Sequence, residues 1–397
     1  MLQFAFVKTN MKDQQKINLY SLFFLIFTVL IVAARFLWLD KVPPGLQHDE
    51  VEYAVNSKAY QLTGKDLSGV GFPQSLFYTA THGRISPIPP LLISPLWHVV
   101  PLNMTSIRAS YVGINILSGI AFSLLLYSLF KDRKLSMLGG LLFLINPWSS
   151  FLSRQAIDAV FSLLFYMLGM AFLLRKSKLA LGVSLLFFLL GFFSYHGAKL
   201  LLPPIVFLTL IFKWYNDNSR RNIIYYGAYA GVILLSFLAF LFAGKLLPGS
   251  IFENRSEEVV FFNKEYLSKG VDLLRKDSIQ SPLNSLFLNK VTVGLTYAAR
   301  NYFTAFSPLI LFFTGEVLRN HGLFFLIDLP LMIWGCLFLY SHHKRIFLYL
   351  MGIVAVAPLA TALSMNGQTL LNRSFLLLPM FLIFVSVGLI QCFRYTS

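Results

Sequence analysis

Acidic side chains are scarce in this sequence. There are 17 Asp and Glu among 397 residues, against 33 Lys and Arg, and all charged residues together make 13%. A soluble domain of this size does not carry so little charge, which excludes a freely soluble enzyme. Cysteine is scarcer still. Cys336 and Cys392 both lie inside apolar runs, so there is no disulfide framework and no reading of redox compartment. No Gly-rich phosphate loop, nucleotide fingerprint or Ser–His–Asp order stands out, so a cytoplasmic nucleotide-sugar or ATP site has no support. Internal repeats are absent as well. The net charge of +16 could point to nucleic acid, but the bases are scattered through short loops, the distribution that orientation in a bilayer produces.

What the chain has in quantity is apolar surface: 56% hydrophobic residues, with 40 Phe. Repeated long apolar runs make it polytopic in a membrane. The first run, Ile17 to Leu39, is too long for a signal-peptide core and has no small-residue cleavage site after it, so it reads as a retained span. Further spans are expected at about 107–130, 136–152, 156–174, 179–195, 198–213, 222–245, 323–341, 346–364 and 374–393, roughly ten crossings in all. Residues 85–100 are apolar but short, and Pro87, Pro89, Pro90 and Pro95 break them, so they read as interfacial or re-entrant. With that segment not crossing, the basic clusters 131–134, 175–178, 213–221 and 342–345 all fall in the cytoplasm, as the positive-inside rule asks. The expected fold is therefore an all-α polytopic membrane protein, one integral domain over 1–397. Its long external loops are 39–106 and 246–322, the first carrying juxtamembrane helices, and no soluble C-terminal domain is expected.

The external side collects the chemistry. Pro43-Pro44-Gly45-Leu46-Gln47-His48-Asp49-Glu50-Val51-Glu52-Tyr53 follows the first span and places three carboxylates and a histidine within five residues. One reading is a helix start, with His48 or Asp49 near the cap and acids favoured in the first turn. The other makes Asp49 a general base at the membrane surface, and the two are compatible. The same loop brings His82 and Arg84. Arg154 and Asp158 are four apart, so on one helix they share a face and could pair; alternatively Arg154 grips a phosphate, which a guanidinium matches well. Lys199, in Tyr195-His196-Gly197-Ala198-Lys199, either snorkels to the interface or makes a second phosphate contact. Arg373, just before the last span, either anchors at the interface or faces an anionic headgroup. His48, His82 and His196 could ligate a metal, but no two have a helical ligand spacing.

The first span followed by Pro43-x-Gly45-Leu46-x-x-Asp49-Glu50-x-x-Tyr53 resembles the lipid-linked-sugar glycosyltransferases of the C superfamily (GT-C), in the branch of protein O-mannosyltransferases and the aminoarabinose transferase acting on lipid A. Three further stretches are similar to bacterial members of that branch: Ser153-Arg154 with Asp158, Tyr302 to Phe313 then Gly315, and Asn372-Arg373 leading to Leu378-Pro379. The resemblance runs from residue 17 to about 390. It implies a hexosyl- or pentosyltransferase using a sugar on a polyprenyl or dolichyl phosphate. The acceptor, a protein, lipid or glycan, would enter from the extracytoplasmic side of a prokaryotic cytoplasmic (inner) membrane. Asp49 would deprotonate it, with Glu50 beside it, and attack would invert the anomeric carbon. Arg154, Lys199, Arg373, Asp158, His48 and Arg84 would surround donor and phosphate. The aminoarabinose transferase has a Glu-Lys pair before its Pro-Pro, whereas Ile88 precedes Pro89-Pro90 here. No metal site is assigned on that account, and a divalent ion is left open. The rival reading is a transporter or flippase of lipid-linked glycans, but such proteins place charges at mid-membrane in broken helices and often carry repeats.

Overall fold

The computed structural model describes residues 11–77, 85–217, 223–246, 258–279, 281, 284–315, 321–365 and 370–396. His82 and Arg84 lie outside the described residues. Apolar runs surrounded by lipid have no water to satisfy their backbone, so they close their own hydrogen bonds as helices. The described residues form helices joined by turns; Lys65 with Gly71 and Val259 with Ser364 make isolated bridges.

In chain order, α1 (Met11–Arg35) is followed by the first long loop, which holds α2 (His48–Thr63) and the six-residue α3 (Ile88–Ile93). A 3-10 stretch, Ser94–His98, continues α3, so the proline-broken segment at 85–100 does not form a crossing. Then come α4 (Met104–Phe130), α5 (Arg133–Ile145), α6 (Pro147–Arg154), α7 (Ala159–Leu173), α8 (Lys178–Ser194), α9 (His196–Asp217) and α10 (Ile223–Leu246). The second long loop carries α11 (Lys264–Asp277), α12 (Asn284–Phe287) and α13 (Lys290–Thr304), then a π-helical turn at Leu309–Thr314. The chain closes with α14 (Asp328–His342), α15 (Lys344–Val356), the short α16 (Leu359–Ala362) and α17 (Leu370–Arg373), and α18 (Leu377–Thr396).

Every expected span coincides with helix, but the lengths differ from expectation. Five segments among the described residues are long and apolar enough to cross a bilayer, and α5 with α6, bent by 56°, make a sixth. The stretches Leu22–Arg35, α7 and α8 are apolar but shorter. The fifteen residues of α7 reach about 22 Å, less than a hydrocarbon core of about 30 Å. Large apolar side chains such as Phe23, Leu235, Phe242 and Leu337 face outward. That is the surface an integral membrane protein presents to lipid.

Burial explains the layering. Nearly all of α7 is inside, against α4, α8 and α9. At the other side α14 and α18 approach at Gly335 and Gly388. A Cβ on Gly335 would sit 1.9 Å from the Phe384 carbonyl oxygen, and one on Gly388 would sit 2.0 Å from that of Leu331. Small residues let helix backbones meet where no hydrophobic force drives them together.

The candidate active site

The site is built where the loop before α2 meets α4, α6 and α7. Gln47 caps α2: the Gln47 N–H donates to the Glu50 Oε2 at 2.8 Å, placing Asp49 and Glu50 in the first turn. That turn points its two acids in opposite directions. Glu50 is fully buried and Asp49 is 77% exposed. Glu50 meets Arg108, also fully buried, which donates from Nε to Oε1 at 2.9 Å and from Nη2 to Oε2 at 3.1 Å. Arg108 Nη1 donates to the carbonyls of Leu39 and Pro43, each at 2.8 Å, and Nη2 also to that of Gly45. A guanidinium has five N–H groups and all five are engaged. Gly45, at φ 71°, supplies the left-handed residue that turns this loop around the guanidinium. Glu50, expected beside Asp49 at the chemistry, holds the loop through these contacts.

Asp158 sits behind this lock and is buried. It accepts from the Tyr53 hydroxyl at 2.6 Å and the Ser86 hydroxyl at 3.0 Å. The Tyr53 hydroxyl accepts in turn from the Ser86 backbone N–H at 3.2 Å. Burial, with the Asp158 carboxylate beside it, pushes the Tyr53 hydroxyl well above its ordinary range, so it stays a donor. Tyr111 lies within electrostatic reach of Asp158, Glu50 and Asp49, and Arg154 within reach of Arg108.

The face shared by Arg154 and Asp158 does not form. α6 ends at Arg154, Ala156 takes φ 46°, and α7 begins after Asp158, so their four-residue spacing crosses a helix break. Arg154 donates instead to the carbonyls of Leu37 and Val42, the latter at 3.2 Å. Lys199 is buried at the start of α9, with Nζ 3.3 Å from the His196 Nδ1 and 4.3 Å from the Phe240 ring centre. Arg373 pairs with Glu258 at 3.6 Å, and its helix α17 packs on α6 and α9. The structure therefore gathers Asp49, Glu50, His48, Asp158 and Arg154 around α2. Lys199 and Arg373 stand at the same end of the bundle, on other helices.

Two arginines escaped the sequence reading. Arg108 is a lone base near the start of an apolar helix, and a charge there demands a partner, which was the available signal. Arg35 ends α1 buried, and its Nη2 donates to the Asn115 side chain and to the hydroxyls of Ser149 and Ser153 at 3.2 and 3.4 Å. A metal set was also missed, because only histidine pairs were compared. His48 and Glu52 are one helical turn apart. Single ligand atoms from His48, Asp49 and Glu52 lie within 4.8 Å of one another. One imidazole and two carboxylates, solvent-facing on one helical turn, fit a divalent cation such as zinc or manganese.

No protein-family model and no curated protein matches the sequence. Solved structures do. The chain is similar to an archaeal oligosaccharyltransferase AglB from Archaeoglobus fulgidus in complex with an inhibitory peptide and a dolichol-phosphate: 14% identity, TM-score 0.54, over 95% of this chain and 50% of that one. It is also similar to the Archaeoglobus fulgidus enzyme in complex with Zn and sulfate, at 14% identity and TM-score 0.52, over 92% and 49% of the two chains. The same enzyme tethered to an acceptor peptide containing the NVT sequon matches at 14% and 0.53, over 95% and 50%. The chain spans about half the length of these structures. At this identity the likeness is one of fold: an all-α polytopic membrane protein.

Proposed function

We propose that this protein is a membrane glycosyltransferase that moves a sugar from a polyprenyl-phosphate donor to an acceptor at the extracytoplasmic face, with Asp49 as general base. The observation that carries this reading is the division within one helical turn, where Glu50 is locked on Arg108 and Asp49 is left facing water. Such a lock fixes the position of the exposed carboxylate without consuming it. Asp49 takes the proton of the acceptor as its oxygen or nitrogen attacks the anomeric carbon from the face opposite the phosphate. The carbon–oxygen bond to the lipid phosphate breaks, the configuration inverts and the lipid phosphate leaves with the electron pair. Such a leaving group calls for positive charge more than for a proton. Arg154, Lys199 and Arg373 are the external bases nearest to span ends, and the two carbonyl contacts of Arg154 can position its guanidinium while leaving donors for phosphate. Asp158, buried and held by Tyr53 and Ser86, would act on substrate through that network. Resemblance of the Asp49-Glu50 motif to O-mannosyl and aminoarabinose transferases favours a monosaccharide. The structures matched by fold favour a peptide acceptor.

A second reading of the same residues puts a divalent cation on His48, Asp49 and Glu52, on the strength of their converging ligand atoms. When bound, such an ion supplies positive charge to polarise an acceptor or to offset a phosphate.

The test is transfer by the purified protein in lipid nanodiscs, with a polyprenyl-phosphate sugar and a peptide acceptor. Asp49→Asn keeps the size and removes the basicity, so turnover should fall about 10²–10⁴-fold while donor binding persists. Wild-type turnover by that variant removes Asp49 from the mechanism. Glu52→Gln together with chelator separates the readings. Loss of transfer in EDTA, restored by a divalent ion, selects the metal; indifference to EDTA with a mild Glu52→Gln effect selects the base.

A further inference from the structure

About twenty residues along α4 from Arg108, hence roughly 30 Å away, the bundle ends in a second concave site of different character. It is a cavity of about 800 Å³ lined by the ends of α4, α7 and α9 and by the first turn of α15. Lys131, Arg175, Lys176, Lys213, Lys344 and Arg345 all line it, together with His343 and Asn216, and no carboxylate does among the described residues. The nearby Asp132 is turned to Arg394, at 2.9 Å.

The positive-inside rule accounts for bases at this end, but not for six of them converging on one hollow of ligand size. Capping of carbonyls accounts for one. Lys213 is buried and its Nζ donates to the carbonyls of Leu173 and Arg175, each at 2.7 Å, closing the end of α7. Four others lie over aromatic rings, with Arg175 4.5 Å from the Phe172 ring centre, Arg345 4.5 Å from that of Tyr215, Lys131 5.5 Å from that of Tyr127 and Lys344 6.0 Å from that of Tyr340. This stiffens the walls without neutralising them. Four helix C-termini, those of α4, α7, α9 and α14, whose last residue His342 also lines the cavity, contribute about half a negative charge each, and the α15 N-terminus about half a positive one. Six cations against that sum leave a strongly positive hollow. The first-turn N–H groups of α15, at Lys344, Arg345 and Ile346, also have no carbonyl to reach inside their own helix.

We propose that this hollow binds a phosphate-bearing anion at the end of the bundle opposite the acidic cluster. Its donors suit phosphate oxygens: two guanidiniums, ammonium groups, backbone N–H groups and the Asn216 amide. The phosphate comes either from an anionic lipid headgroup, because a basic pocket between spans at a membrane surface takes such headgroups, or from a soluble phosphate ester.

Two binding measurements on the delipidated full chain in neutral detergent test the site and separate its sources. Native mass spectrometry with phosphatidylglycerol reads the lipid, and calorimetry with pyrophosphate reads the soluble anion. The wild type should bind in at least one arm, and Lys131→Gln/Lys344→Gln/Arg345→Gln should weaken that binding roughly 100-fold. Asn216→Glu, which removes no cation and places a carboxylate on the wall, should weaken it too, and it decides the matter if the triple variant does not fold. Binding of lipid alone identifies a headgroup site; binding of pyrophosphate identifies a soluble ligand. No binding in either arm, or binding that both variants leave unchanged, overturns the proposal.

Discussion

The two ends of the bundle handle charge in opposite ways. At the α2 end, buried ionic groups have close partners: Arg108 with Glu50 and three carbonyls, Asp158 with Tyr53 and Ser86, Arg35 with Asn115 and two serines. At the far end, six bases ring a hollow with aromatic rings as company and no carboxylate among the described lining residues. Burying a charge costs several kcal/mol of hydration, and a partner repays that only with good geometry. The closed network therefore trades little net stability for fixed positions, which a catalytic carboxylate requires. The open ring, apart from the buried Lys213, keeps its bases in contact with water, where like charges cost little, and holds its field in reserve. Geometry is stored at one end and potential at the other.

Three single substitutions, one of them with a second-site rescue, sharpen the contrast, taken from the largest effect to the smallest. Arg108→Met leaves Glu50 buried without a counter-charge and should lower stability by about 3–5 kcal/mol in thermal unfolding of the solubilised protein. Adding Glu50→Leu should recover part of this but not all, since the carbonyls of Leu39, Pro43 and Gly45 still lack their donor. Full recovery would mean that the loop does not depend on the guanidinium. Tyr53→Phe removes one of two hydroxyls on Asp158 and should cost about 1–3 kcal/mol in the same assay. Because the Tyr53 hydroxyl is held above its normal range, it remains protonated throughout the neutral region, and this loss should not change between pH 6 and 9. Lys176→Gln, at the open end, should change stability by less than about 0.5 kcal/mol. A large loss there would mean that the basic hollow is as closely knit as the acidic end.

Sequence alone reveals most of the fold, because helices in lipid are written as continuous apolar runs. All the expected spans coincide with helix, and four prolines were enough to keep 85–100 from being counted as one. Lengths were harder, since α7, at fifteen residues, is shorter than the run 156–174 that contains it. Side-chain partnerships were hardest. Nothing local links Glu50 to Arg108, 58 residues later, or Tyr53 to Asp158, 105 residues later. The spacing of Arg154 and Asp158 misled because it assumed one continuous helix, whereas the chain breaks at Ala156. The acidic helix start was legible down to its first-turn acids, yet which acid faces inward depends on α4, which no pattern in residues 43–53 encodes.

The Arg108 lock also imposes a timetable on biogenesis. Ribosomes add about 5–20 residues per second, so the 58 residues from Glu50 to Arg108 take about 3–12 s to make. Through that interval the acidic segment has emerged and its guanidinium has not. Leu39, Pro43 and Gly45 meanwhile have only water for their carbonyls. The site can set only after the second long helix has been delivered to the bilayer, so a nascent chain stalled before residue 108 would carry every acid of the motif without the guanidinium that fixes the loop.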